Sequence, residues 1–414
     1  MDRIMTTHAG SLARPPEVLS FLVAMEGGGA YDEEAYGEVL RNSVAETVRR
    51  QAQAGIDFVD DGEMGKATWI TYLYERVTGL ESRMVPVEGG NILPPSRDRL
   101  AFPEFYAQHD AAFAKEVVNQ VRLAGGGDEG SGGDTAEGVE AEGKIWVCTG
   151  PITYNSAALQ RDIANLKSAL EGVTVEGAFM PVVAPASVYW LQNEHYGSEE
   201  EFVFAVADAL HEEYKGIVDA GFLLQVDDAV LVHECDSIMS LGGSFDDYRR
   251  WADVRIEALN HALAGIPEER VRYHVCWGSW HGPHVYDPPL EDIVDLVLRV
   301  RAGAYSIEQA NPRHEHEWRV WEEVKLPEGK VLIPGVVTHH TTVVEHPQLV
   351  ADRLTRLAKI VGRENVIAGT DCGFAQGAFI QRVHPSVQWA KLEALSEGAR
   401  LATRELWGSK VAAA

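Results

Sequence analysis

The run FVFAVADALHEEYKGIVDAGFLLQVD at residues 202–227 decides the fold. Residues 202–220 space their apolar side chains as a helix does, Gly221 stops the run, and the short strand FLLQVD follows at once. A helix delivered by glycine into a short apolar strand is the repeating unit of a parallel sheet.

Working outward from that unit, seven further strands are predicted at 3–7, 57–62, 178–183, 272–276, 304–308, 331–337 and 366–370. The helices between them are equally regular. Leu290, Ile293, Val294, Val297 and Val300 form one stripe before Gly303, and Leu349, Val350, Leu354, Leu357, Ile360 and Val361 form another between Pro347 and Gly362. Eight strands with crossover helices predict an α/β chain folded as a (β/α)8 TIM barrel. No GxGxxG follows the first strand, which disfavours an open doubly wound sheet. The apolar run at 144–151 is left over, as an inserted strand or hairpin before the third barrel strand.

The chain has 414 residues, 45% of them apolar, enough for one large core, and it reads as a single barrel domain across 1–414. A Gly-rich acidic stretch at 124–143 has no large side chain to bury and reads as a flexible insertion carrying Asp128, Glu129, Asp134, Glu137, Glu140 and Glu142. Lys plus Arg number 36 against 63 Asp plus Glu, a net charge of −27, which excludes a non-specific nucleic-acid binder or a polybasic membrane-surface protein. No apolar run approaches the roughly 20 residues of a membrane span, and the N-terminus lacks a signal-peptide core, so a cytoplasmic protein is expected. Four scattered cysteines, Cys148, Cys235, Cys276 and Cys372, point away from a disulfide framework and towards metal binding or nucleophilic chemistry.

A barrel places its reactive groups at the C-terminal ends of its strands. In order these offer His8, Gly10 and Ser11; Asp60, Asp61 and Glu63; Asp227 and Asp228; His274 and Cys276; Glu308; His339 and His340; and Asp371 and Cys372. His274 and Cys276 are two apart on one strand, so both face the same side. Glu308 and Cys372 end later strands and can meet them over one metal. Two thiolates, an imidazole and a carboxylate suit Zn2+, in a soft site better at presenting a bound thiolate than at making hydroxide. A lone His-x-Cys is more often a buried strand with an incidental histidine; chelating residues at three strand ends outweigh that reading.

The ordered motifs TTHAGSLARP, DDGE, LQVDDA, HVC, SIE and TDCG resemble the catalytic barrel of the cobalamin-independent methionine synthases. The likeness is strongest to short single-barrel relatives that include epoxyalkane:coenzyme M transferases, and runs from Thr6 to about Phe374 with the Gly-rich stretch outside it. The wider fold class is methionine synthase/uroporphyrinogen decarboxylase-like. The resemblance implies a zinc ion on His274, Cys276, Glu308 and Cys372. It implies Glu63 and Asp227 on the amine of a homocysteine-type thiol, Gly10 and Ser11 on its carboxylate, and His340 as proton donor to the leaving group.

The resulting expectation is zinc-dependent transfer of an alkyl group, in the first instance methyl, from a small-molecule donor to a small-molecule thiol. Epoxide opening by a thiol, with Arg313 or Arg14 receiving a sulfonate, and demethylation with another thiol acceptor are the alternatives within the same chemistry. Neither a nucleic-acid nor a membrane partner is expected, and homo-oligomerisation is left open. Glu63 and Asp227 could otherwise be strand-end caps, the reading preferred for Asp61 and Asp228. His8, with Tyr189, Trp190, Asn193, His195 and Tyr196 after the third strand, could line the substrate site or merely pack. His281, His284, His314 and His316 crowd the loops after the fifth and sixth strands without an assigned role. A metal-free decarboxylase-like barrel and a zinc-stabilised storage protein are the readings from other classes.

Overall fold

All eight expected strands occur in the computed structural model, which describes residues 2–26, 29–86, 96–112, 142–378 and 382–408. They are β1 (Met5–Thr6), β2 (Phe58–Val59), β3 (Gly177–Val183), β4 (Leu223–Asp227), β5 (Val271–Val275), β6 (Ala304–Ile307), β7 (Val331–Val337) and β8 (Ile367–Thr370). One parallel sheet runs β1-β8-β7-β6-β5-β4-β3-β2. Asp57 joins its two ends: its N–H donates to the Thr6 carbonyl at 3.1 Å, and its Oδ2 accepts the Thr6 N–H at 2.8 Å. The chain is thus a (β/α)8 barrel, as the sequence predicts.

The helices start and stop where local chemistry requires. Ser198 caps Glu199–Asp219 by accepting the Glu201 N–H, and Gly221, at φ +99°, turns the chain into β4. Pro347 opens Pro347–Val361 and Gly362 closes it at φ +96°. Among the described residues no helix is long and apolar enough to cross a membrane.

The left-over run 144–151 belongs to a second, three-stranded sheet. Glu142–Cys148 pairs antiparallel with Leu80–Pro86 and parallel with Leu191–Asn193. This corrects one boundary: residues 142 and 143, expected within the flexible stretch, are already paired with Pro86 and Val85, because backbone pairing does not need large side chains. The remainder of that stretch, 124–141, lies outside the described residues. Leu80–Pro86 was not expected as a strand, since much of it faces solvent and its side chains do not alternate.

Below the barrel mouth the interior is polar where apolar layers are usual. Arg272 stands 3.9 Å over the Phe179 ring and donates to Thr7 Oγ1 (2.9 Å) and the His8 carbonyl (3.0 Å). Gln51 reaches in from the helix Glu33–Gln53 to bond both backbone groups of Asp60 and the His8 ring. Burial pushes the Arg272 guanidinium down to about 9, against the pull of Asp227 and Asp60.

Outside the barrel, Arg76 clamps two helices, donating to Asp162 at 2.5 Å and Glu213 at 2.6 Å, with all three side chains buried. Removing the cation strands two carboxylates in the interior. Arg76→Met is expected to cost about 3–5 kcal/mol in denaturant unfolding; a loss within about 0.5 kcal/mol of wild type, the range of an ordinary surface change, would contradict this account.

Candidate functional site

The end of β5 carries His274 within the strand and Cys276 just beyond it, and Cys372 follows β8. Barrel closure brings one ligand atom from each within 4.8 Å of the others, all three residues buried. Ser306 of β6 lies 3.0 Å from His274 Nδ1 and fixes the ring, while Nε2 has no hydrogen-bond partner among the described residues. The Cys276 thiol beside it, then His274, hold the Cys372 thiol below its ordinary range, and Cys276 is pushed up in return. Burial would lower His274, but Cys372, Asp227 and Glu308 outweigh it and leave the imidazole raised. One bare imidazole nitrogen and two sulfurs, one readily a thiolate, fit a thiophilic divalent cation with an open position.

Glu308 is not brought into this group of three. Its Oε2 accepts the Trp277 N–H at 3.1 Å, Asn311 donates to Oε1 at 3.0 Å, and its carboxylate gathers with His339 and His340. His340 Nε2 stands 3.3 Å from Oε1 without hydrogen-bond alignment. Burial would raise the Glu308 carboxyl, yet His340 and then His314 hold it below its usual value.

The acids expected at the mouth are there. Glu63 adopts φ +55°, held by its N–H on Asp61 Oδ1 (2.8 Å) and by Arg14 on its carbonyl (2.8 Å), and Lys66 Nζ lies 3.5 Å from its carboxylate. Asp227 accepts from Gln225 at 2.9 Å, and burial pushes it up despite His274. Gly10, at φ +130°, leaves room for Glu63: a Cβ there would lie 2.8 Å from Glu63 Oε1. Ser11 packs on Gly373, where a Cβ would fall 2.0 Å from Ser11 Oγ. Asp61 and Asp228 serve as caps, accepting the N–H groups of Glu63 and Leu231.

A cavity of about 370 Å³ opens over these groups, lined by Ser11, Glu63, Asp227, His274, Cys276 and Cys372. Trp69, Tyr106 and Trp280 supply its aromatic wall, and His233, Gln376 and Arg382 its added polarity. Sequence reading missed these because each sits in a loop or a helix away from the strand ends. His8 is placed deeper, in the barrel interior: its Nδ1 accepts the Gly10 N–H, its Nε2 bonds Gln51 at 2.7 Å, and burial lowers it to about 4. Asn193 is also elsewhere, its Oδ1 accepting the N–H groups of His195 and Tyr196 in a turn of the small sheet. The Trp190 side chain lies outside the described residues. Arg14, which donates to the Glu63 and Ala375 carbonyls, and the exposed Arg313, which donates to the Val285 carbonyl, are not among the residues lining the cavity.

Of the four histidines without an assigned role, His284 and His314 form a buried network, while His281 and His316 are exposed. Asp287 Oδ2 lies 2.9 Å from both His284 Nδ1 and His314 Nε2, and His284 meets the His340 ring at 5.3 Å. Against burial, Asp287 and Glu317 raise His314 to about 9.

Comparison with known proteins identifies the family and the fold. The family described as cobalamin-independent synthase, catalytic domain, matches residues 134–391. A methionine synthase of Thermococcus kodakarensis is 22% identical over 403 residues, 97% of this chain and 94% of that protein. A 2-hydroxypropyl-CoM lyase of Xanthobacter autotrophicus is 24% identical over 406 residues, 91% and 88% of the two chains. Among solved structures, a B12-independent methionine synthase from Shewanella superposes with a TM-score of 0.69 at 20% identity, covering 98% of this chain and all of that one, a likeness of fold.

The Gly10 cradle is testable by unfolding. Gly10→Ala meets both a positive φ and the Glu63 carboxylate and is expected to destabilise by about 1–3 kcal/mol. Gly37→Ala, within a helix and with nothing inside 4 Å of the new carbon, is expected to stabilise by about 0.4–1 kcal/mol. Equal effects from the two substitutions would show that the close approach at Gly10 does not matter.

Proposed function

Because the chain belongs to the cobalamin-independent synthase catalytic-domain family, we propose that it transfers an alkyl group, in the first instance methyl, to a small-molecule thiol reacting as a zinc-bound thiolate. The observation that carries this reading is the gathering of His274, Cys276 and Cys372 on one cavity wall, with His274 Nε2 bare. Bound zinc lets a thiol, ordinarily titrating near 8.5, present sulfur as thiolate at neutral pH.

The chain's own side chains do the rest. Ser306 orients His274 so that Nε2 faces the two sulfurs. Glu63 and Asp227 hold the ammonium of a homocysteine-type acceptor, and the Gly10–Ser11 turn its carboxylate. Trp69, Tyr106 and Trp280 exclude water and give the alkyl donor an apolar wall. A methyl leaving nitrogen or oxygen needs a proton delivered to that atom, and His340, partly exposed beside Glu308, is the donor. Glu308 adds negative charge beside both cysteines.

One observation supports a second reading, with an anionic thiol and an epoxide. Arg382 lines the cavity near Cys372, has no carboxylate partner among the described residues, and is lowered to about 10 by burial. A half-buried guanidinium that donates to Gln376 Oε1 at 3.2 Å and meets no carboxylate among the described residues suits a thiol bearing a sulfonate or carboxylate. Such a thiolate opening an epoxide forms a C–S bond, breaks the C–O bond and leaves an alkoxide to be protonated.

A panel of homocysteine, coenzyme M, glutathione and cysteine against methylfolate, methylated amines, aryl methyl ethers and an epoxide, read by mass spectrometry, tests both readings. Thioether formation is expected to vanish in Cys276→Ser and Cys372→Ser together with stoichiometric zinc. Ser306→Ala is expected to lose about 10- to 100-fold in zinc affinity or activity. Cysteine variants that keep both metal and turnover would overturn the mechanism.

A further inference from the structure

Behind the cavity wall, four ionisable side chains are linked end to end. His314 Nδ1 lies 3.0 Å from Glu317 Oε2 and its Nε2 lies 2.9 Å from Asp287 Oδ2. His284 Nδ1 lies 2.9 Å from the same Asp287 oxygen, and its Nε2 lies 2.9 Å from the Trp280 carbonyl. Ionised carboxylates and carbonyls only accept, so all four ring nitrogens donate, and a ring that donates from both nitrogens is an imidazolium. Two largely buried cations thus alternate with two largely buried anions. Against burial, His284 and His314 hold the Asp287 carboxyl below its usual value, and Asp287 in turn raises His284.

These charges are tied to Trp280, which lines the cavity. The indole stacks on the His284 ring with centroids 4.5 Å apart at 25°, and an aromatic face attracts a cation. Gly278 and Gly282 leave the room that the indole takes: a Cβ on the first would fall 1.8 Å from its Cζ3, and one on the second 2.3 Å from its Nε1. The far side of the loop is fixed as well, since Asp98 accepts the Val285 N–H at 3.1 Å and Glu317 Oε1 accepts the Leu290 N–H at 3.0 Å.

We propose that the alternating charges of His284, Asp287, His314 and Glu317 form a positioning device that fixes Trp280 against the cavity and so limits the size of the alkyl donor. Trp280 touches the donor, and Asp287 acts through it. The donor's part in this rests on the alkyl-transfer reading, whereas the hold on Trp280 does not.

Fluorine NMR and kinetics of the full chain test the two parts separately. In protein carrying 5-fluorotryptophan, the resonance lost in Trp280→Phe identifies the ring, and Asp287→Asn is expected to shift that resonance. An unmoved resonance would overturn the hold on Trp280. In turnover, Asp287→Asn is expected to raise the donor KM at least about 10-fold, with thiol KM and zinc content held within about 2-fold. It is also expected to admit bulkier donors and to change the donor KM no further in a Trp280→Ala background. Equal losses on donor and thiol, or additive effects of the two substitutions, would overturn the positioning role. If no donor and thiol react, the alkyl-transfer reading fails and the fluorine resonance alone decides the hold on Trp280. Should Asp287→Asn not fold by circular dichroism, His284→Asn, which removes the imidazolium and tolerates φ +55°, is read in the same way.

Discussion

The carboxylate of Asp371 holds the working end of the barrel together. Its Oδ1 accepts the N–H groups of Gln309 and Ala310 at 2.9 and 2.7 Å, while its own N–H donates to the Val337 carbonyl at 3.0 Å. Side chain and backbone of this one buried residue thereby tie together the ends of β6, β7 and β8, next to Glu308, His339 and Cys372. Gly335 makes the clasp sterically feasible, since a Cβ there would lie 2.1 Å from Asp371 Oδ1. The first strand is tied in beside it: the Phe374 N–H donates to the Ser11 carbonyl at 2.8 Å, and Ser11 rests on Gly373. Ligands far apart in sequence share a site because backbone groups beside them are bonded to one another.

The same burial changes what the acid excess means. Of the many carboxylates in a chain of net charge −27, the buried ones near the mouth are pushed towards neutrality. Desolvation moves Asp61 and Asp228 up to about 6 and raises Asp60, Asp227 and Asp371 as well. Arg14, Lys66, Arg272 and Arg382 are buried or cavity-lining cations among them. The mouth therefore carries charges of both signs, not the acid excess alone. Glu63 and Asp227 line the same cavity as Arg382, so acidic and basic side chains face one another across it.

The barrel and the ends of its strands were legible because two periods carry them: apolar stripes at helical spacing fix the helices, and the two-residue alternation of a strand sends His274 and Cys276 to one side. What periodicity cannot carry was missed. Gln51 and Arg272 build the polar layer from a helix and a strand whose patterns read as ordinary. Arg382, Tyr106 and Trp280 enter the cavity from outside the strand ends, so Arg14 and Arg313 drew attention on charge alone. Asn193 carried a local signal that could have been read: Asn is a residue that turns the chain by accepting N–H groups just ahead of it, as it does from His195 and Tyr196. That Glu308 turns to the Trp277 N–H and Asn311 and not to the group around Cys372 has no signature in spacing.

Backbone strain falls on the same ground. Among the described residues only Glu63 and His284 are non-glycines at positive φ, both at +55°. For residues of this size the left-handed region costs of order 1–2 kcal/mol, so the surroundings must impose it. Glu63 is imposed by Asp61 and Arg14, and His284 by Asp287 and by the Trp280 carbonyl 2.9 Å from its ring. In each case the strained turn sets the side chain: Glu63 lines the cavity, and His284 packs against the His340 ring. A relaxed backbone at either position would send the side chain elsewhere, so the two strained residues help fix what lines the cavity and what packs on His340. Neither lies on a barrel strand; the strand ends fix His274, Cys276 and Cys372, and the strained loops set what stands around them.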